Sequence, residues 1–182
     1  MARQDVDLAP CPGATLDDLD TALVEQYREE LSRRRPGSPL LRQSHEGLLL
    51  QVGAAVQVGK QLQPTLTGTL FFGRDPQHFY PSLTITLLHF AGTSTARARE
   101  EDPLYLDNKE FRGVVPAVID AARATIYDKI GKQGLVEGFV RHDVPEYPEF
   151  AYREAIVNAV GHRDYGLEGG FVQVRLFADR LE

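Results

Sequence analysis

The sequence predicts an α+β fold for this chain of 182 residues. Two patterns indicate that class: apolar residues recur at helical spacing in some segments and alternate, as in β-strands, in others. Hydrophobic residues make up 42% of the chain and charged residues 25%, a balance typical of proteins that build a core. No apolar run approaches the roughly 20 residues that a membrane span needs. The first residues also lack the order of a signal peptide, so we expect a soluble, cytoplasmic protein with no membrane contact.

Three segments follow from the composition along the chain. Residues 1–14 hold prolines and a glycine without periodicity, which is typical of a loose N-terminal arm. Residues 15–142 combine helical and strand patterns in a central region. Residues 143–182 are expected to begin a second, incomplete domain, because a helix and a strand there precede a run that stops at Glu182.

The first predicted helix covers residues 15–35. Thr15 is a favourable N-cap, and Pro36 and Gly37 end the pattern. Its apolar residues fall on one stripe that needs a partner surface: Leu16, Leu19, Leu23, Tyr27 and Leu31.

The remaining elements follow from the same two patterns and from turn residues between them. Further helices are predicted at 45–57, 113–131 and 149–162. Strands are predicted at 65–73, 83–90 and 171–177, and residues 91–103 are predicted to be an exposed loop. The strand at 171–177 is expected to have an unpaired edge, which together with the first helix predicts a homodimer or a swapped assembly.

Polar residues of the 149–162 helix form the candidate site. Glu154, Asn158 and His162 are spaced four residues apart, so they line one side of the helix. A carboxylate can accept a proton from water, and an amide oxygen can ligate Mg²⁺. One helical turn apart, these groups fit a phosphate-cleaving site.

This run resembles a known motif. The segment from Glu154 to His162 is similar to the N-box, Glu-x-x-x-Asn-Ala-x-x-His, of the GHKL (Bergerat-fold) ATPases. The wider sequence resembles a bacterial family of proposed transcriptional regulators, often called RecG-related ATP-dependent DNA helicases. Its members carry a Schlafen AlbA-like DNA-binding domain followed by a degenerate GHKL-type domain. The segments at 64–81 and 111–113 resemble the region between those two domains, so the resemblance covers about residues 40–182.

The resemblance implies roles at two positions. Glu154 corresponds to the general base that orients water, and Asn158 to the nucleotide-site residue that ligates Mg²⁺. ATP and Mg²⁺ are therefore implied for the full-length protein, and DNA is implied as a partner of a domain that precedes residue 1. In this family the boxes that hold adenine lie downstream of the motif. This chain alone is therefore expected to be a fragment that binds no nucleotide and is inactive.

Other interpretations of the same residues stay open. Glu154 can be a structural residue that pairs with Arg153 or Arg175, and Asn158 can cap a loop. The chain can then be a non-enzymatic dimerisation or interaction module whose GHKL-like helix is only a scaffold. Whether the full-length protein hydrolyses ATP is not decided by the sequence.

Several other chemistries are disfavoured. No P-loop is present, so a helicase motor is not encoded here. The His162-Arg-Asp run lacks the asparagine that a kinase loop needs after Asp164. The net charge of −6, without a basic segment, makes strong DNA binding by this chain a poor prediction. Cys11, the single cysteine, excludes an internal disulfide and is expected to be inert.

Overall fold

The computed structural model describes residues 6–97, 99, 101, 103–137, 140–166 and 170–182, with the backbone alone at residue 6 and at 132–144. These residues form two units. The first contains the chain up to Leu83 together with Gly113–Pro116, Tyr165 and Gly166. The second contains Thr84–Arg112, Ala117–Asp164 and Gly170–Glu182, as far as they are described. Helices and strands mix throughout, which confirms the predicted α+β class.

The regular elements are as follows. The helices are α1 (Thr21–Arg34), α2 (His45–Gln51), α3 (Leu66–Phe72), α4 (Pro76–Phe79), α5 (Val115–Lys129) and α6 (Glu149–Gly161). The strands are β1 (Ala55–Val58), β2 (Gln61–Pro64), β3 (Ile85–His89), β4 (Asp107–Phe111), β5 (Lys132–Glu137), β6 (Val140–Pro145) and β7 (Val172–Leu176). No helix in the described part of the chain is long and apolar enough to cross a membrane.

The first helix begins later than its pattern predicts. Thr15 precedes a separate short turn, in which the Asp18 carboxylate accepts hydrogen bonds from the Thr15 amide and hydroxyl, and Asp20 is the N-cap of α1. The backbone is extended at Leu19 because that residue bridges Gly73, while the Asp20 amide donates to the Phe72 carbonyl at 2.7 Å. Pairing with a distant segment therefore interrupts the helical pattern.

The leucine stripe of the first helix has its partners inside its own unit. Leu19 and Val24 are buried in a cluster with residues of α2, of β1 and of α3, and Leu16 and Leu23 pack against its margin. Tyr27 meets the ring of Phe72 edge to face, with centroids 5.8 Å apart. The partner surface that this stripe was predicted to need is therefore provided by the first unit itself.

Residues 65–73 were predicted to be a strand, and this prediction is wrong. Threonine and phenylalanine favour strands, but Thr65 acts here as the N-cap of α3. Its hydroxyl accepts a hydrogen bond from the Gly68 amide at 3.0 Å and donates one to the Gly53 carbonyl at 2.6 Å. The cap thus satisfies the Gly68 amide within the helix, whereas in a strand this amide would need a partner on a neighbouring strand.

The helix predicted at 45–57 ends at Gln51. Gly53 has a φ of +74°, a conformation that breaks a helix and suits glycine. The chain then enters a hairpin in which β1 pairs with β2 in antiparallel register. The sequence analysis missed both of these strands.

The segment before Thr15, predicted to be a loose arm, is anchored where the structure describes it. Cys11 and Ala14 are buried, and the Cys11 amide donates to the Pro64 carbonyl at 2.7 Å. The Leu66 amide donates to the Ala9 carbonyl at 3.2 Å. Main-chain hydrogen bonds therefore hold this segment against the start of α3.

Gln77 joins three parts of the first unit. It is only 3% exposed. Its side-chain nitrogen donates to the carbonyls of Leu83, at 2.9 Å, and Gly113, at 3.0 Å. Its oxygen accepts from the Gly113 amide at 2.7 Å. A buried amide with every group paired fixes the chain where it leaves and re-enters this unit.

The second unit is built on a three-stranded sheet in the order β4-β3-β7. β3 pairs antiparallel with β4 and parallel with β7, so Leu87 lies opposite both Lys109 and Val174. The predictions for β3, α5, α6 and β7 are confirmed to within a few residues. β4 and the antiparallel hairpin of β5 and β6 were not predicted.

The outer edge of β7 is paired where it was predicted to be open. The amide of Arg175 donates to the carbonyl of Glu182 and the reverse bond is also made, both at 2.8 Å. The Phe177 amide donates to the Arg180 carbonyl at 2.8 Å across the expected turn. β7 thus has neighbours on both sides. Its sheet also contains β3 and β4, which lie before the predicted domain boundary between residues 142 and 143.

Gly68 lies against the backbone so closely that it offers a direct stability test. A Cβ atom at this position would lie 1.8 Å from the Ala54 carbonyl oxygen. We expect Gly68→Ala to lower the free energy of unfolding by roughly 2–3 kcal/mol or more, because backbone has to move. Gly37→Ala is the matched control, since a Cβ there meets nothing within 4 Å. Urea denaturation measures both, and equal stability of the two variants would contradict the predicted close contact.

Candidate functional site

The candidate site lies on α6. Pro148, with a φ of −58°, precedes the first turn of the helix, and the His162 amide closes the last turn on the Asn158 carbonyl. Tyr152 and Ile156 are buried, at 3% and 2% exposure. These two residues, four apart, define the face that packs on the unit.

The three polar residues predicted to line one side of this helix are all exposed. Glu154, Asn158 and His162 lie away from the buried face. In the part of the chain that the structure describes, no hydrogen bond or ion pair involves the side chains of Glu154 and Asn158. Arg175, one of the possible structural partners of Glu154, instead donates to the Gln173 side chain at 2.6 Å.

Contacts on the other side of the helix hold α6 in place. Glu149 in its first turn forms an ion pair with Arg123 of α5, and Arg123 also lies 3.7 Å from Asp120. The hydroxyl of Tyr152 is buried without a hydrogen-bond partner among the described residues. Burial raises the pKa of Tyr152, and the nearby Glu149 carboxylate raises it further. The packed face thus carries structural interactions and leaves Glu154 and Asn158 unengaged.

The exposed pair can supply two kinds of chemistry. A solvent-facing carboxylate at Glu154 can accept a proton, and the Asn158 amide oxygen can ligate a hard cation. Mg²⁺ typically keeps several waters and takes only one or two protein ligands besides substrate phosphates, so one asparagine fits such a role. Among the described residues no group of three or more histidine, cysteine, aspartate or glutamate side chains is placed to hold a metal on its own.

One residue of the site was missed. Phe150 is 75% exposed on α6, one turn before Glu154. An exposed phenylalanine beside a polar pair provides a flat apolar surface next to the two functional groups. The spacing of four residues from Glu154 is the signal that relates them in the sequence.

Two other groups of interest are buried. Phe90 stacks on Phe177 inside the second unit. Cys11 is fully buried. Burial raises the pKa of Tyr80, and hydrogen bonding with the Cys11 thiol acts in the same direction.

Comparison with known proteins adds the following. Residues 1–85 match a family model described as a domain of unknown function, DUF8451. The chain resembles the crystal structure of the DIP2311 protein from Corynebacterium diphtheriae, with a TM-score of 0.60 and 23% sequence identity. The match covers 94% of this chain and 31% of that one, so this chain spans less than a third of that protein's length. At this identity the likeness shows the fold alone, and no curated protein matches the chain.

His89 at the end of β3 gives a pH prediction. Burial lowers its pKa, the Lys129 ammonium acts in the same direction, and Asp107 opposes both. The unfolded chain therefore binds this proton more readily, so the free energy of unfolding should fall as the pH drops below about 6.5.

The test follows urea denaturation of the wild type and of His89→Gln between pH 7 and pH 5. We expect the variant to lose less stability over this range. His78→Gln is the control, because His78 is exposed and should leave the wild-type slope unchanged. If the free energy of unfolding depended on pH equally in the wild type and in His89→Gln, the predicted contribution of His89 would be contradicted.

Proposed function

We propose that this chain belongs to a cytoplasmic, DNA-associated transcriptional regulator that binds ATP and Mg²⁺ through a degenerate GHKL-type domain. One observation carries the proposal: α6 presents Glu154 and Asn158 to solvent, without partners in the described part of the chain, while its other face is packed. The carboxylate and the amide are therefore free to bind a ligand that approaches from the solvent side. This arrangement supports a role toward a ligand.

The two residues have different roles in the proposal. The Asn158 amide oxygen is the group that would hold Mg²⁺, which supplies charge neutralisation for the phosphates when bound. The Glu154 carboxylate orients a water molecule and accepts its proton. One turn of helix places the two groups within reach of the same phosphate chain.

The DNA contact is assigned to a domain that precedes this chain. The net charge of −6 argues against a strong phosphate-binding surface on these residues. The 182 residues contain no P-loop, so they do not themselves encode a P-loop helicase motor.

An interaction module is the second candidate, and Phe150 favours it. This side chain is 75% exposed, and Phe171 beside β7 is 55% exposed. Exposed aromatic side chains are frequent anchors at protein interfaces. In this alternative α6 is a contact surface between two copies of the chain and the polar pair is only a part of it.

The nucleotide proposal predicts a stability change. Mg-ATP is titrated, with thermal unfolding as the readout, against this chain and against the protein extended beyond residue 182. One-site binding raises the free energy of unfolding by about 2.7 kcal/mol at a ligand concentration 100 times the dissociation constant. We expect that gain in the extended protein.

The variants identify the site. Asn158→Ala should remove the dependence of the gain on Mg²⁺, and Asn108→Ala, which changes an exposed asparagine on β4, should not. Glu154→Gln should preserve binding and abolish any hydrolysis. Stabilisation of neither protein by Mg-ATP would contradict the proposal.

The alternative predicts self-association. Sedimentation equilibrium of the wild type over a range of concentrations should show a dimer, and Phe150→Ser should shift it to a monomer. Phe71→Ser is the control, because Phe71 is exposed by 42% in the first unit. A wild type that stays monomeric at all concentrations would rule out this module.

A further inference from the structure

The connection between β3 and β4 is much longer than its geometry requires. These strands are antiparallel neighbours, which loops of about 2–5 residues can join, yet residues 90–106 lie between them. Loops longer than about 12–15 residues are uncommon in compact domains and are usually either functional or disordered. Here both ends are fixed, since the Leu106 amide donates to the His89 carbonyl at 2.7 Å and the Phe90 amide to the Leu176 carbonyl at 2.8 Å.

The first part of this loop is also held along its length. The Gly92 carbonyl accepts from the Ala178 amide at 3.0 Å. The Thr93 carbonyl accepts from the Arg180 guanidinium at 2.7 Å. These bonds hold residues 92 and 93 to the turn after β7, so this part of the loop has a fixed conformation before any ligand binds.

Aromatic packing fixes Phe90, the first residue of the loop. Phe90 is 4% exposed and stacks on Phe177, with ring centroids 4.7 Å apart and an angle of 11° between the planes. Tyr105 meets Phe90 edge to face at 5.1 Å, and the Arg180 guanidinium lies 4.0 Å above the Phe177 ring. Contacts from several sides therefore set the orientation of the Phe90 ring.

Described residues of this loop line an open cavity of about 550 Å³. Its volume is within the range of about 300–1,000 Å³ found for ligand sites, and it adjoins the carboxyl end of β3, which Phe90 follows. Its lining includes the apolar residues Phe90, Leu104 and Leu106 and the polar residues Thr93, Ser94 and Arg97. Leu104 and Leu106 are 36% and 56% exposed, so apolar surface is available to a ligand.

We propose that this cavity binds a small planar aromatic carboxylate. The ring lies against the exposed Leu104 and Leu106, and the carboxylate receives hydrogen bonds from Arg97. A guanidinium has five donors, so Arg97 can hold a carboxylate in addition to an interaction within the protein. This inference is independent of the proposed nucleotide site on α6.

The test compares two probes of the same shape and different charge, 2-naphthoate and 2-naphthalenemethanol. The chain contains no tryptophan, so naphthalene fluorescence reports binding with little background. We expect saturable, one-site binding of 2-naphthoate to the wild type. Arg97→Gln should weaken 2-naphthoate about tenfold and leave the affinity for 2-naphthalenemethanol unchanged.

Two further variants test the apolar side of the cavity. Leu106→Glu and Leu104→Glu should each weaken both probes by at least about tenfold, because a carboxylate replaces the apolar surface. Leu50→Glu, at a leucine that is 41% exposed in the first unit, is the control and should bind as the wild type does. Circular dichroism checks that each variant is folded.

Three results would overturn the proposal. The first is the absence of saturable 2-naphthoate binding to the wild type. The second is unchanged binding in whichever of the Leu104 and Leu106 variants is folded. The third is an equal effect of Arg97→Gln on the acid and on the alcohol, which would remove the carboxylate from the ligand class.

Discussion

The close approach of α3 to the chain at Ala54 is the constraint on which the first unit depends. Thr65 caps the helix and bonds to Gly53, and its own amide donates to the Ala54 carbonyl at 3.0 Å. Gly68 leaves the space that this approach needs. Because Pro64 ends β2 and Leu66 begins α3, the hairpin, the helix and the anchored N-terminal segment all meet at this point.

The sequence predicted those elements whose patterns are local. α5 and α6 have amphipathic stripes and clear end signals, and β3 and β7 are apolar strands of one sheet, so their predictions are confirmed. β4 was missed because its residues, from Asp107 to Phe111, are mostly charged or exposed and match an edge strand better than a buried one. The error at 65–73 has another cause: β-propensity is weak where an N-cap and a glycine contact favour a helix.

The candidate site was predictable to a similar degree. Spacing alone placed Glu154 and Asn158 on one side of a helix, and the structure shows both to be exposed. Exposure of Phe150 could not be predicted, because a phenylalanine at helical spacing is more often buried. The cavity of the 90–106 loop could not be predicted either. It depends on pairing between residues far apart in the chain, such as Phe90 with Leu176 and Thr93 with Arg180.

The parallel pairing of β3 with β7 also determines when the second unit can fold during translation. Residues 85–89 leave the ribosome long before residues 172–176, the strand with which they pair. Until then the apolar edge of β3 has only β4 beside it, so a nascent chain carries an open strand that other chains can bind. Contacts so distant in sequence also slow folding once the chain is complete. We therefore expect this unit to be most prone to aggregation during its synthesis, before β7 has formed.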